Sequence, residues 1–240
     1  MRWLFQRCGN DLGRIVPLTK VSVNVGQCET HIAGREDHPV SDRRRAILEG
    51  AARVIARRGV RGLRVGELAA EAGVSTALIY YHFKDRTGIL RQALAFITDR
   101  ADRYTGAADG AGVPPAGTDP RQLLERILLL EFQDLPEVRE NSTAWGELRA
   151  HTIFDPELRD ELSAAGAAWV EEVAGLLAAV CPAAAPAAVG SAAERLTALL
   201  EGLSSRWLSG LLPVGHARDL MRGAIGVEIG RLGSLDAQID

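Results

Sequence analysis

Residues Leu63-Arg64-Val65-Gly66-Glu67-Leu68-Ala69-Ala70-Glu71-Ala72-Gly73-Val74-Ser75-Thr76-Ala77-Leu78-Ile79-Tyr80-Tyr81-His82-Phe83-Lys84-Asp85-Arg86-Thr87-Gly88-Ile89-Leu90 carry two short helical patterns around one glycine. Val65, Leu68, Ala69 and Ala72 repeat at helical spacing and give the first helix one apolar face. Gly73 follows, where a helix can end on a left-handed residue at little cost to glycine. Ser75 offers a side-chain oxygen to cap a second helix, which sends Leu78, Ile79 and Phe83 to the core. Two short helices joined by a tight turn form a helix-turn-helix, whose second helix fits the DNA major groove.

Outward from this unit the spacing predicts helices only. A first helix runs from Ser41, as its cap, to Arg58, with Ile47, Ala51, Val54 and Ile55 buried and Gly59 as its stop. Arg43, Arg44 and Arg45 stand at its entry, where they either meet DNA phosphates or form an ordinary solvated helix end. A fourth helix, capped by Asp85, continues through Ile89, Leu90, Ala93, Leu94 and Ile97 to about Tyr104. Ala107 to Thr118, rich in Gly, Ala and Pro, reads as a flexible loop. Asp119-Pro120 and Asp155-Pro156 each pair a cap with a proline at the first turn and open new helices. Further helices span Asn141 to His151, Ala187 to about Gly210, and Ala217 onward, with Pro182 to Pro186 as a break. The fold class is therefore all-α: a three-helix DNA-binding unit with a helix-turn-helix, then a larger helical domain, about nine helices together.

The segment Ala69-Ala70-Glu71-Ala72-Gly73-Val74-Ser75 followed by Leu78-Ile79-Tyr80-Tyr81-His82-Phe83 resembles the DNA-binding signature of the tetracycline-repressor (TetR) family. The likeness covers Asp42 to about Ala95. It implies that Thr76, Ala77 and Tyr81 read bases, that Tyr80 meets the backbone, and that His82 lies near the backbone or a base edge. Ser75, Lys84 and Arg86 join them as DNA-binding candidates, with Arg43 and Arg64 as phosphate contacts. On the residues alone, Tyr80 and Tyr81 are also possible packing residues. Neighbours on a helix point about 100° apart, so at least one of them faces outward. Two departures from the family pattern stand out. Arg64 replaces a common capping threonine, and Gly88 weakens the first turn of the fourth helix, where an acidic residue is common.

Charge divides along the same line. Residues 41–105 hold 13 Lys+Arg against 7 Asp+Glu, whereas 106–240 hold 10 against 20. A basic unit on an acidic remainder suits one end that faces phosphates and another that faces away. The three cysteines, Cys8, Cys28 and Cys181, form no C-x-x-C pair and suggest neither a disulfide framework nor a zinc site. A reducing cytoplasm is the plain reading, with no metal, no cofactor and no membrane partner. Residues 1–40 are expected as a disordered or loosely attached leader. The apolar run Trp3-Leu4-Phe5 breaks at Gln6-Arg7, Val21 to Val25 alternates like a strand without an obvious partner, and natural translation starting nearer Val40 is an alternative.

One unit makes few base contacts, so a symmetric dimer reading a palindromic operator is expected, with half-sites about 34–36 Å apart. The helices near Ala193 to Gly210 and Ala217 to Leu232 resemble the family's dimerisation pair. The domain layout is thus 41–86 for DNA binding, 87–105 for a connecting helix, and 119–235 for ligand binding and dimerisation. Pockets between helices are mostly apolar with a few polar groups. Phe132, Trp145, Glu147, Leu148, His151, Phe154, Trp169 and Trp207 are the candidate lining for a small-molecule effector, or ordinary core. Trp145 through Arg159 resembles the choline/betaine-repressor subgroup. Tryptophan faces in an acidic domain suit a cation, though the residues name no ligand. The function implied is a ligand-responsive repressor, with an activator or ligand-independent DNA binder on the same fold as the alternative. There is no nucleotide loop, zinc spacing or Ser/His/Asp set to suggest an enzyme.

Overall fold

The computed structural model describes residues 39–106, 117 and 119–236, which form nine α-helices and one 3₁₀ turn. Helix α1 is Pro39–Gly62, α2 Val65–Ala72, α3 Thr76–Phe83 and α4 Arg86–Gly106. Then come α5 Pro120–Leu130, α6 Pro136–His151, the 3₁₀ turn Pro156–Leu158, α7 Arg159–Val180, α8 Pro186–Leu208 and α9 Val214–Asp236. The expected leader and the loop from Ala107 to Thr118 lie outside the described residues, Gly117 excepted.

Several helix starts differ from the sequence expectation, each for a local reason. Helix α1 begins at Pro39, so Ser41 sits inside its first turn rather than capping it; proline is tolerated at a first helical position because its missing N–H has no partner there anyway. Helix α6 begins at Pro136, five residues before the expected Asn141, after Leu135 in extended conformation without a side-chain cap. Asp155 does cap, its carboxylate accepting from the Glu157 N–H at 3.2 Å, but it opens the 3₁₀ turn before α7 takes over. Asp119 caps α5 as expected, accepting from the Arg121 N–H at 3.1 Å.

Two cores hold the helices together. The first joins Ile47, Ile55, Leu68, Ile79, Phe83, Ile89, Leu94 and Ile97 from α1 to α4 with Ala144 and Leu148 of α6 and Leu158 of the 3₁₀ turn. Within it the Asn141 amide donates to the Ile97 carbonyl at 3.1 Å, a buried polar tie between α6 and α4. The second packs Leu124, Leu128 and Phe132 from α5 and its end against Val173 and Leu177 of α7, Leu196, Leu203 and Trp207 of α8, and Met221 and Ile225 of α9. Arg218 of α9 satisfies the end of α5, donating to the carbonyls of Leu129 at 2.8 Å and Phe132 at 2.9 Å. Arg195 of α8 grips buried Glu228 of α9 with two donors, at 2.8 and 2.6 Å, and these hold the Glu228 carboxyl below its ordinary range.

Helix α7 with its preceding turn, Pro156–Val180, is long and apolar enough to cross a membrane by length and composition. Its exposed positions include the charged Glu157, Arg159, Asp160, Glu171 and Glu172 besides small residues such as Ala164, Ala168 and Gly175, while Val173 and Leu177 face the second core.

Candidate nucleic-acid interface

Helix α2 ends as its sequence dictates: Gly73 adopts the left-handed conformation at φ 66° and its N–H reaches the Ala69 carbonyl. Ser75 then caps α3, its hydroxyl accepting from the Leu78 N–H at 3.2 Å. Ile79 and Phe83 are buried, whereas Leu78, expected in the core, is only half-buried. The opposite side of α3 is open. Thr76 and Ala77 are exposed, Tyr80 is 50% exposed and Tyr81 77% exposed. These positions follow i, i+1, i+4, i+5 and so share one helical face. They combine a hydroxyl, a methyl and two phenols, the mixture of donors, acceptors and apolar contacts that distinguishes base edges. His82 is half-buried and lies edge-on to Tyr81, ring centroids 5.2 Å apart, so it buttresses that tyrosine from the flank.

The helix-turn-helix is fixed to α1 by charge. Glu71 accepts from Arg53 at 2.7 Å and also pairs with Arg57, and Glu67 pairs with Arg58. The hydrogen bond from Arg53, then that from Arg57, lowers the Glu71 carboxyl below its ordinary range, and Glu71 in turn raises Arg57. Other cations of the basic stretch are also spent on the fold. Arg44 donates to Gln92 of α4 at 3.1 and 2.5 Å, and Arg45 pairs with Glu49 at 3.0 Å. Arg86 donates to the Val60 carbonyl at 2.7 Å, which makes it a brace between α4 and the end of α1. Among the described residues none pairs with exposed Arg43, Arg64 or Lys84. Arg64 stands at the start of α2 in extended conformation and supplies no side-chain cap, as its replacement of threonine implied.

Between α3 and α4 the chain reverses within two residues. Lys84 has φ 64° and ψ −59°, and the Asp85 N–H donates across it to the Phe83 carbonyl at 2.8 Å, a γ-turn of the rare positive-φ kind. Asp85 caps α4 by accepting from the Gly88 N–H at 2.7 Å. A Cβ on Gly88 would overlap the Phe83 carbonyl oxygen. Gly88 is therefore a requirement of the close approach between α3 and α4, which corrects the expectation that it merely weakens a first turn. Nothing in the sequence announced the γ-turn. The Glu71 clamp did leave a signal, since Arg53 and Arg57 lie four residues apart on one face of α1.

The eight ligand-lining candidates do not converge. Leu148 and Trp145 belong to the first core, with Leu148 fully buried. Phe132 and Trp207 meet in the second core, ring centroids 6.3 Å apart, and the Arg139 guanidinium lies 5.1 Å from the Trp207 centroid. Trp169 packs half-buried against that same core. His151 lies 3.4 Å from Asp155. Glu147 is exposed and points at Gly59, where α1 kinks at φ 71° and a Cβ would lie 2.7 Å from the carboxylate. Phe154 is 75% exposed, beside Ile153 at 74%, with the Arg61 guanidinium 5.7 Å from its ring. Grooves of about 280 and 500 Å³ indent the surface, one between α1 and α4 and the other where α6 joins them; neither is lined by any of the eight.

An open-faced α3 held on a helix-turn-helix frame defines the class of helix-turn-helix DNA-binding proteins. The comparisons agree and narrow it. Residues 47–93 match the model of bacterial regulatory proteins of the tetR family, and residues 120–229 match the C-terminal model of BetI-type transcriptional repressors. A TetR-family transcriptional regulator from Rhodococcus sp. has a solved structure with 46% sequence identity and a TM-score of 0.69, covering 79% of this chain and 99% of that one. A transcriptional regulator from Saccharomonospora viridis, solved in complex with choline, shares 29% identity at a TM-score of 0.65, over 78% of this chain and 96% of that one. The HTH-type transcriptional regulator BetI of Burkholderia thailandensis is 26% identical over 173 residues, 72% of this chain and 84% of its own. The chain belongs to the TetR family of transcriptional regulators, with a C-terminal region of BetI type. Its relatives are regulators of transcription and not enzymes.

Proposed function

We propose that this protein is a cytoplasmic repressor that binds a palindromic operator as a homodimer and is released by a small organic cation. The observation that carries the reading is the α3 face: Thr76, Ala77, Tyr80 and Tyr81 are held outward while Ile79 and Phe83 are locked inside. Arg43, Arg64 and Lys84 supply the phosphate contacts, with Ser75 and His82 at the two ends of the reading helix. Arg86 acts at one remove, by bracing α4. Dimerisation is supported by α8 and α9, which keep Leu199, Leu220 and Val227 exposed beside the stripes that each helix buries in the second core. A second copy covering those side chains brings two α3 helices to one face of a duplex.

The cationic effector is supported by the acidic C-terminal region and by the choline held in the Saccharomonospora viridis relative. The Phe132–Trp207 pair, buried in the second core, is the aromatic group we assign to it, with Arg139 occupying the Trp207 face until the effector arrives. Effector and DNA then oppose each other through one coupling free energy, each weakening the other by the same factor. Helix α4, which ends in the γ-turn to α3 at one end and packs on α6 and α5 beyond it, carries the change.

Selection of random duplexes on the purified chain tests the first part, since the reading requires an enriched palindrome bound by two chains. Titrating choline into that complex tests the second. Retention of no palindrome refutes DNA reading, and undiminished binding at saturating choline refutes the cation.

A further inference from the structure

The corner between α6 and α7 touches the helix-turn-helix at both points where the chain enters and leaves it. At the entry, Glu147 fills the space beside Gly59, and Phe154 lies under the Arg61 guanidinium, its centroid 5.7 Å away. At the exit, Thr87 donates its hydroxyl to the Glu157 carboxylate. Arg91, one turn further along α4, reaches the Glu161 carboxylate at 2.7 Å and the Glu157 carbonyl at 3.3 Å. The corner is itself firmly seated. Leu158 is buried in the first core between those two glutamates, and Asp155 caps the turn that presents Glu157. Thr87 and Arg91 lie i, i+4 on one face of α4, within eight residues of the end of α3.

We propose that Glu157 and Glu161 are positioning residues for DNA recognition, acting through Thr87 and Arg91 on the angle at which α4 delivers α3. This rests on the DNA-reading function above and adds a specific handle to it. The two carboxylates touch no part of the α3 face. Their effect comes from restricting the first turn of α4, so that each half of the dimer enters the groove already oriented and loses less freedom on binding.

The test compares the wild type with Glu157→Ala/Glu161→Ala on the duplex that the wild type selects. The double variant binds about fivefold more weakly, as expected for losing a few exposed polar contacts. The slope of log Kd against log salt is unchanged, because no phosphate contact is removed. Glu161→Arg alone weakens binding further by facing Arg91 with a like charge, and adding Arg91→Glu restores most of the loss. Independently of DNA, amide exchange at Gly88 and Ile89 quickens in the double variant, while Leu68 and Ala69 in α2 are unaffected.

Unchanged Kd with unchanged exchange overturns the proposal, as does a charge swap that restores nothing. A salt slope that falls in the double variant, or a uniform rise in exchange along the chain, also overturns it, the latter by making the pair merely structural. If the wild type selects no duplex, the function above falls, and the exchange at Gly88 and Ile89 alone decides whether the corner orders α4.

Discussion

Replacing Gly88 by alanine puts a methyl group where the Phe83 carbonyl oxygen already sits. That oxygen cannot retreat freely. It accepts the Asp85 N–H at 2.8 Å across Lys84, and Phe83 is anchored in the core. Relief therefore requires opening the γ-turn, a backbone adjustment of the kind that costs about 1–3 kcal/mol when a packed site is overfilled. Alanine returns about 0.5–1 kcal/mol through its better helix propensity. The net loss is at most about 2.5 kcal/mol, which lowers the melting temperature of a chain this size by up to about 10 °C. Because opening the turn swings α3 relative to α4, operator affinity falls by more than the stability change alone explains. Thermal unfolding and a DNA-binding titration on Gly88→Ala read both effects. A variant as stable as the wild type, or more so, with undiminished DNA binding would show that α3 and α4 do not approach as described.

Three other outcomes follow from the same geometry. Tyr81→Ala loses about tenfold or more in operator affinity per contact set while the melting temperature barely moves, because the ring is 77% exposed; a large fall in melting temperature would mean that Tyr81 is a packing residue. Glu71 and Glu228 both have carboxyls below the ordinary glutamate value of 4.5, held there first by Arg53 and by Arg195 respectively. Such groups contribute fully above the ordinary value and lose their contribution as pH falls through the lowered one, so urea unfolding from about pH 6 to about pH 3 shows a steeper loss in the wild type than in Glu228→Gln. Equal pH dependence in the two proteins counts against the Arg195–Glu228 pair. Val227→Glu places a charge on the exposed stripe of α9 and converts the proposed dimer to single chains in sedimentation, with the helix content intact; a variant that stays dimeric moves the interface elsewhere.

Much of the DNA-binding unit was legible because its determinants are local. A left-handed glycine, a serine cap three residues before a free N–H, and apolar residues at helical spacing act within one turn of themselves, so Gly73, Ser75, Ile79 and Phe83 could be placed from spacing. The aspartate-proline starts at Asp119 and Asp155 were readable for the same reason. What escaped was long-range. Arg86 looks like a phosphate ligand in sequence, but its partner is the carbonyl of Val60, 26 residues away. Trp145 and Leu148 share a helix face with the expected pocket, yet the side they face is decided by α1 and α4, and periodicity along α6 cannot choose between two cores. Phe154 follows an apolar residue and precedes a cap, and nothing along α6 tells that its ring stands exposed beside Arg61.

The seating of Ala144, Leu148 and Leu158 among side chains of α1 to α4 has a practical consequence for anyone building hybrids. A reading head cut from this chain after α4 would leave behind part of its own interior and expose an oily flank along α1. Altering the DNA preference of this regulator is therefore easier by changing the outward residues of α3 than by exchanging whole N-terminal segments. Where segments are exchanged, the matching stripe of α6 has to travel with them.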